Sequence, residues 1–499
     1  AAKEANRVWL GALWSEYKQD VAAVRPFDES NFDETMDVYL EKMKAADGDA
    51  GKYALDHQWV DSLKTNQQVR KQLIDLVGTQ EDGKTFKQVS FREYLSLIKP
   101  PIEIDNPITE PNLAEEVIIY QEDKLSNDLV LVNDAATDEV YLLKKNGEKF
   151  HEWTLNNELG NDAFLEEDGK LLALLKTGDD KIKFGGYGGQ IQSINPDNSI
   201  NWQFKYSTED YNLHHDIERL PNGNIVALLW EKKTNAEAKE KGYKGDSDVF
   251  IESIIEINPN NDQIVWKWSS WNHIIQDFDQ TKSNFGSVAN NPQLVDINYN
   301  VISTGDIMHA NAIEYDKKND LIFVSINFYN EIWVLDHSTN TKEATTSTGG
   351  NFNKGGNLLY RFGNPSAHKA SGNKLFDRNH HCNFIDDNLP GAGNLLVFNN
   401  GFSDEQSTVL ELKLPTPSAY DFNLAPKTEW SFTNPDLFSG KVSGAIRTKN
   451  GNTLITEGDF GFWEISQNND IVWQYSKSGF FWRGYPYEYD NISIINLKK

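Results

Sequence analysis

The sequence predicts an all-β fold, a six-bladed β-propeller with an added N-terminal helical domain. Three observations carry that prediction. From about residue 112 onward the chain is a succession of short β-type runs separated by Asn, Asp and Gly turns. The runs recur in a loose but constant order. The last run of a cycle is marked by an aromatic residue in six places: "FHEWTL", "INWQF", "IVWKWS", "LLYRFG", "TEWSF" and "IVWQYS".

Residues 1 to about 98 read as helical. "ETMDVYLEKMKAA" and "NQQVRKQLIDLVG" carry apolar residues at i, i+3, i+4 spacing. The stretch 99–124 is expected to be an extended linker, because "KPPIEIDNPITEPN" is rich in proline. The propeller then takes 125–499. Each cycle opens on a segment with inward-looking polar residues, such as "NDAFLEEDGK", "HHDIERLPNG", "HANAIEYDKK", "HHCNFIDDNL" or "SGAIRTKNG". A glycine-led apolar strand follows in "GNIVALLWE", "GNLLVFNNG" and "GNTLITEG". The next strand resembles "EIWVLDH" or "GFWEISQ", and the aromatic run closes the cycle. Long insertions at 232–247 and 271–306 make the repeat irregular. The first blade lacks an opening strand of its own, and the tail "FFWRGYPYEYDNISI" is expected to supply it and close the ring. A β-sandwich or two smaller β domains would share the composition but not the repeat.

Composition narrows the function. The 499 residues include 14 Trp, 19 Tyr and 26 Phe, which suits a globular β-rich core rather than disorder. A net charge of −27 argues against sequence-independent nucleic-acid binding, since phosphates would be repelled. The single Cys382 excludes an intrachain disulfide and a Cys-cluster zinc site. No apolar stretch reaches bilayer-spanning length. The chain starts "AAKEANRVW", without Met or a signal segment, and is expected to be a mature form whose export signal has been removed.

In a propeller the first strand of every blade lines the central channel. His214 or His215, His309, and His380 or His381 each stand at the head of a blade, so they are expected to converge there. Because neighbours in a strand face opposite ways, one member of each pair is expected to face the channel. "GGYGG" (185–189) lacks the Lys-Ser/Thr ending of a phosphate loop and reads as a close-packed turn at the channel rim. His273 and Cys382 read as buried structural residues.

The chain resembles the bacterial arylsulfate sulfotransferases over roughly residues 125–495. The resemblance rests on "GGYGGQIQSINPDNSINWQF", "HHDIERLPNGNIVALLWE", "WNHIIQDFDQTKSNFGSV", "HANAIEYDKKNDLIFVS", "EIWVLDHSTNTKEA", "GGNLLYRFGNP", "LPGAGNLLVFNNG" and "SGAIRTKNGNTLITEG", in the same order. It implies a six-bladed propeller, periplasmic or secreted. It also implies transfer of a sulfuryl group from a phenolic sulfate ester to a phenol, with a histidine as covalent carrier and no nucleotide sulfate donor. No cofactor and no metal are implied. The family's nucleophile motif matches "DRNHHCNFIDDNLPGAGN" and aligns His380 with the carrier. The other channel histidines match His214 or His215, expected to bind sulfuryl oxygens, and His309, expected to protonate the leaving phenol. A neutral imidazole is a good nucleophile near pH 7, and sulfuryl transfer should resemble the loose, in-line transfer of phosphoryl groups.

Two departures follow. "VSINFYNEIWV" puts Asn327 where the family commonly has Arg, so an amide replaces a charge. His381 stands where Asp usually follows the nucleophile. Arg361, Arg447 or Arg378 is then the candidate to supply the missing charge, with His381 and Tyr485 of "FWRGYPYEY" as further substrate-binding candidates. Other functions stay open: a propeller acting on acidic or sulfated polysaccharides as lyase or hydrolase, and a non-catalytic or metal-binding propeller. The helical segment 1–98 is open to roles as a cover for the channel mouth or in pairing of subunits.

Overall fold

Each cycle of the sequence folds as an antiparallel meander of four strands in the computed structural model, which describes residues 14–15, 17–18, 21, 29–80, 86–87 and 113–498. One meander runs Leu159–Leu165, Leu171–Lys176, Gly189–Ile194, Ile200–Lys205, and the next Tyr211–Arg219, Ile225–Lys233, Val249–Asn258, Gln263–Ser269. Two more run Ala310–Asp316, Leu321–Ile326, Glu331–Asp336, Tyr360–Phe362 and Asn379–Phe384, Leu395–Asn399, Thr408–Lys413, Lys427–Phe432. A further one runs Gly444–Arg447, Thr453–Glu457, Gly461–Ile465, Ile471–Ser476. The first meander in chain order is completed by the C-terminal strand Phe481–Glu488, which pairs with Asp128–Asp134 ahead of Glu139–Leu143 and Lys149–Trp153. The tail thus joins the first and last strands of the repeats in one sheet.

The six separate blades expected are not formed. Among the described residues four blade sheets stand alone, three of four strands and one of five, and Ile274–Ile275 forms a small parallel pair with Val295–Asp296. The two meanders from Leu159 to Ser269 run together as one eight-stranded sheet, because a parallel bridge between Asn161 and His215 joins their first strands. The fifth strand of the five-stranded sheet is Val117–Tyr120, paired with Ile471–Ser476. It lies inside 99–124, where linker was expected: its apolar residues offer an edge to the last meander. The remainder of that linker, up to residue 112, lies outside the described residues.

Strands such as Leu171–Lys176 and Ile225–Lys233 are apolar on both faces, since a neighbouring sheet covers each side. The core accordingly lies between meanders. Val130, Val132 and Tyr141 of the first pack on Leu454, Phe462 and Trp473 of the last. A buried aromatic removes roughly 150–250 Å2 from water, or about 4–6 kcal/mol before entropy. At this seam Lys145 lies 3.0 Å from Asp128 and 2.7 Å from Glu464, with its ammonium over the Trp473 ring.

The chain divides into two compact units, Ala1–Thr109 and Glu110–Lys499. In the first, Met36–Ala45 is capped by Thr35, Ala50–Asp56 by Asp49, and Asn66–Val77 by a reciprocal Thr65–Gln68 capping box. Tyr53 is buried there and donates to Glu34 at 2.8 Å. Among the described residues no helix is long and apolar enough to cross a membrane.

Candidate active site

The strand Tyr211–Arg219 breaks the alternation on which the sequence reading relied. Ile217 pairs with Ala227 and His214 with Leu228, which leaves His215 and Asp216 as a bulge. His215 adopts a left-handed φ of 57°, a conformation that costs a residue with a Cβ on the order of 1–2 kcal/mol. As a result both rings of the pair come together, Nδ1 to Nδ1 at 2.9 Å, where only one was expected to face the axis. His309 and His381 repeat the left-handed backbone, with φ of 56° and 51°, the first just ahead of a strand whose register shifts at Asn311 and the second at the shift in its own strand. "GGYGG" supplies the wall: His215 N–H donates to Gly186 O, and a Cβ on Gly186 would fall 2.2 Å from His215 Nε2.

The histidines of three meanders meet. The rings of His215 and His309 are 4.7 Å apart and nearly perpendicular. His309 Nδ1 lies 2.5 Å from Asp306 Oδ2, and its ring stacks on Phe328 at 4.6 Å. His380 Nδ1 donates to Asn400 Oδ1 at 2.7 Å, which leaves the lone pair on Nε2. That nitrogen accepts from Val442 N–H at 3.2 Å. His381 Nδ1 accepts from Ala445 N–H at 3.2 Å. His214 stacks on Trp230 at 3.9 Å, with its Nε2 3.0 Å from Glu252 Oε2.

Asn327 joins this group. Its Nδ2 donates to Asn379 O at 3.1 Å and approaches His380 Nδ1 at 3.4 Å. Its Oδ1 accepts from Arg378 Nη1 at 3.3 Å, and the Arg378 guanidinium lies 4.4 Å from the Phe328 ring centroid. A charge absent from position 327 therefore stands beside it, on the residue two before His380.

Burial sets the protonation states. It pushes the His380 imidazole down to about 3 against the opposing pull of Asn400. His214, His215 and His381 are driven well below the ordinary imidazole range, first by burial and then by neighbouring cations. His309 moves the other way: burial lowers it, but the charge and hydrogen bond of Asp306 outweigh burial and leave it raised. One imidazole whose hold on its proton is strengthened thus sits among several whose hold is weakened.

Three expected substrate-binding residues are not brought to the histidines. Arg361 lies on Tyr360–Phe362, the outermost strand of its meander, where its guanidinium is paired with Glu331 and both side chains are fully buried. Arg447 is paired with Glu411 and lies over Trp430. Tyr485 donates to Asp162 at 2.6 Å and, with Arg447, lines a separate cavity of about 560 Å3. In each case a carboxylate within the fold takes the charged or hydroxyl group, although Arg447 Nε is left buried without an acceptor. His273, read as structural, has its ring nitrogens against Asn357 Oδ1 and Ala344 O. Asp306, Asn400 and Glu252 were missed. Asp306 had a signal, standing three residues before His309 in "GDIMHA"; the other two depend on strand pairing. Among the described residues no group of three or more His, Cys, Asp or Glu side chains is arranged to hold a metal ion.

A family model described as Arylsulfotransferase (ASST) matches residues 114–479. A stretch of 94 residues, 19% of the chain, is 31% identical to Protease 4 of Salmonella typhi, and the chain spans 15% of that protein's length. Similar solved structures include the hydrazine synthase of Kuenenia stuttgartiensis, 10% identical with a TM-score of 0.32 over 56% of this chain and 66% of that one. A functionally unknown protein of Desulfotomaculum acetoxidans is 9% identical, with a TM-score of 0.36 over 72% of this chain and 99% of the other.

Proposed function

The chain belongs to the arylsulfotransferase family, and from that premise we propose that it moves a sulfuryl group from a phenolic sulfate ester to a phenol through a histidine carrier. The observation that carries this reading is the company the imidazoles keep. His215, His309 and His380 share a buried cluster with Arg378, a half-buried cation that forms no ion pair among the described residues. Neutral nucleophile, protonated acid and open cation are the three parts that sulfuryl transfer requires.

His380 Nε2 attacks sulfur, giving up the Val442 amide as it does so, while Asn400 retains the proton on Nδ1. The bond from sulfur to the aryl oxygen breaks, and His309 passes its Nε2 proton to the departing oxygen. Arg378 and His215 hold the sulfuryl oxygens. In the second half, His309 takes the proton of the acceptor phenol, whose oxygen attacks sulfur and frees His380. Asn327 acts as a positioning residue for Arg378 and His380. Family membership supports a periplasmic or secreted setting.

The test is intact-mass analysis after exposure to 4-nitrophenyl sulfate. One added sulfuryl group is expected, lost in His380→Ala, with nitrophenol turnover that depends on a phenol acceptor. An adduct that persists in His380→Ala and disappears in His309→Ala would move the carrier to His309. No adduct and no acceptor-dependent turnover would sink the reaction.

A further inference from the structure

The indole N–H of Trp482 is buried without an acceptor in the protein, and its side chain is 1% exposed. A buried donor left unpaired costs about 1–3 kcal/mol, and folded proteins rarely keep one without use.

Its place in the fold suggests that use. In the C-terminal strand, Phe481 pairs with Asp134 and Gly484 with Val132, so Trp482 and Arg483 form a two-residue bulge. In the strand Tyr211–Arg219 a two-residue bulge likewise brackets His215 and Asp216, though with consecutive partners Ala227 and Leu228 rather than an intervening residue. Trp482 therefore holds in its strand the position that His215 holds in another. The two bulges also engage each other, since Arg483 clasps Asp216 at 2.8 and 3.0 Å. The Trp482 ring lies 5.6 Å from His215 and 6.2 Å from His380. Arg483 lies 4.7 Å from the indole centroid, its charge already matched by Asp216, so it braces the ring rather than taking a ligand.

We propose that Trp482 donates its indole N–H to the anionic sulfuryl group held between His215 and His380. This rests on the reading above that an anion binds there. An indole nitrogen is a donor only and does not exchange its proton in the reaction. It therefore suits a sulfate ester, whose oxygens accept hydrogen bonds throughout transfer. Arg378 would supply charge, and Trp482 a neutral donor fixed in direction by close packing.

The experiment uses the full chain labelled with 15N at tryptophan. The Trp482 indole cross-peak is identified by its absence in Trp482→Phe, a substitution that deletes the N–H and keeps an aromatic ring. We expect this cross-peak to shift as inorganic sulfate is added, saturating with the affinity measured by calorimetry. Trp482→Phe should weaken sulfate binding about tenfold, as loss of a hydrogen bond to a charged group does. A cross-peak that stays fixed while sulfate saturates the protein overturns the proposal, and so does a failure of sulfate to bind. If Trp482→Phe does not fold, a crystal of the unaltered protein grown with sulfate decides. An oxygen at about 3 Å from Nε1 supports the donor role; a bound sulfate with no oxygen near it rejects the role. Sulfate seated on Trp482 without sulfuryl transfer would leave this donor standing and remove the reaction. Active transfer with an unmoved cross-peak would do the reverse.

Discussion

Arg378 and Arg361 mark two kinds of region in the same molecule. Around Arg361 every charge is answered: Glu331 takes the guanidinium, and the carbonyl of Leu294 accepts another N–H at 3.0 Å. Around Arg378 the partners are an amide oxygen and an aromatic face, and charge is left over. The first region spends its polar groups on joining elements. The second holds imidazoles and a cation in reserve, on strands bent by left-handed residues that cost stability. The contrast teaches that an arginine's part in this protein depends on whether the fold has given it a carboxylate.

The largest effect should come from breaking the closed region. Arg361→Gln leaves Glu331 buried without its cation, which costs about 3–5 kcal/mol. Chemical unfolding should show that loss, while the KM for 4-nitrophenyl sulfate in the folded fraction stays unchanged. A raised KM with normal stability would place Arg361 at the site after all.

Arg378→Gln should do the opposite. Removing a charged donor from an anion costs about 1.5–3 kcal/mol, so kcat/KM should fall roughly tenfold to a hundredfold. Stability should stay within about 0.5 kcal/mol, as for a substitution that breaks no buried pair. Equal losses in both proteins would erase the distinction between the two regions.

The sequence made the closed, repetitive parts legible. The aromatic-closed cycles, the glycine-led strands and the tail that completes the first sheet follow from periodicity and turn chemistry, which are local. Apolar spacing marked the helices Met36–Ala45 and Asn66–Val77 by the same kind of local signal. The site was legible as a set of histidines but not as an arrangement. Alternation predicted one ring per pair, and the left-handed His215 defeated it, because nothing in "HHDI" announces positive φ at a residue with a Cβ. The arginines were indistinguishable in sequence, since Glu331 meets Arg361 through strand pairing and Glu411 meets Arg447 across two neighbouring sheets. Tyr485 read as a substrate-binding candidate, and Asp162, 323 positions away, takes its hydroxyl.

A smaller effect concerns the proton on His309. Asp306 raises its affinity for that proton above the ordinary imidazole range. If His309 is the acid, kcat/KM should decline as pH rises through its folded-state pKa, and Asp306→Asn should move that alkaline limb to lower pH. Stability carries the same sign. A raised folded-state pKa contributes stability that is fully present below about 6.5 and is lost as pH rises through the folded value. The melting-temperature gap between the unaltered protein and Asp306→Asn should therefore narrow from pH 5.5 to pH 9. A gap that widens would show that His309 is held neutral.

The smallest expected effect tests the register of the strand that carries His380. Cys382 follows the bulge at His381 and pairs with Val397. There it faces the apolar cluster of Ala312, Leu395 and Val397, away from the imidazoles, and burial pushes its thiol well up. A thiol so placed holds little thiolate and admits no reagent. Ellman's reagent should leave the folded protein unlabelled and its transfer rate unchanged, then react with one thiol per chain on unfolding. Rapid labelling of the folded enzyme would mean that Cys382 faces the channel. Since a slip of one residue sends every side chain of a strand to the opposite face, His380 would then point into the apolar layer, and the carrier would have to be sought elsewhere.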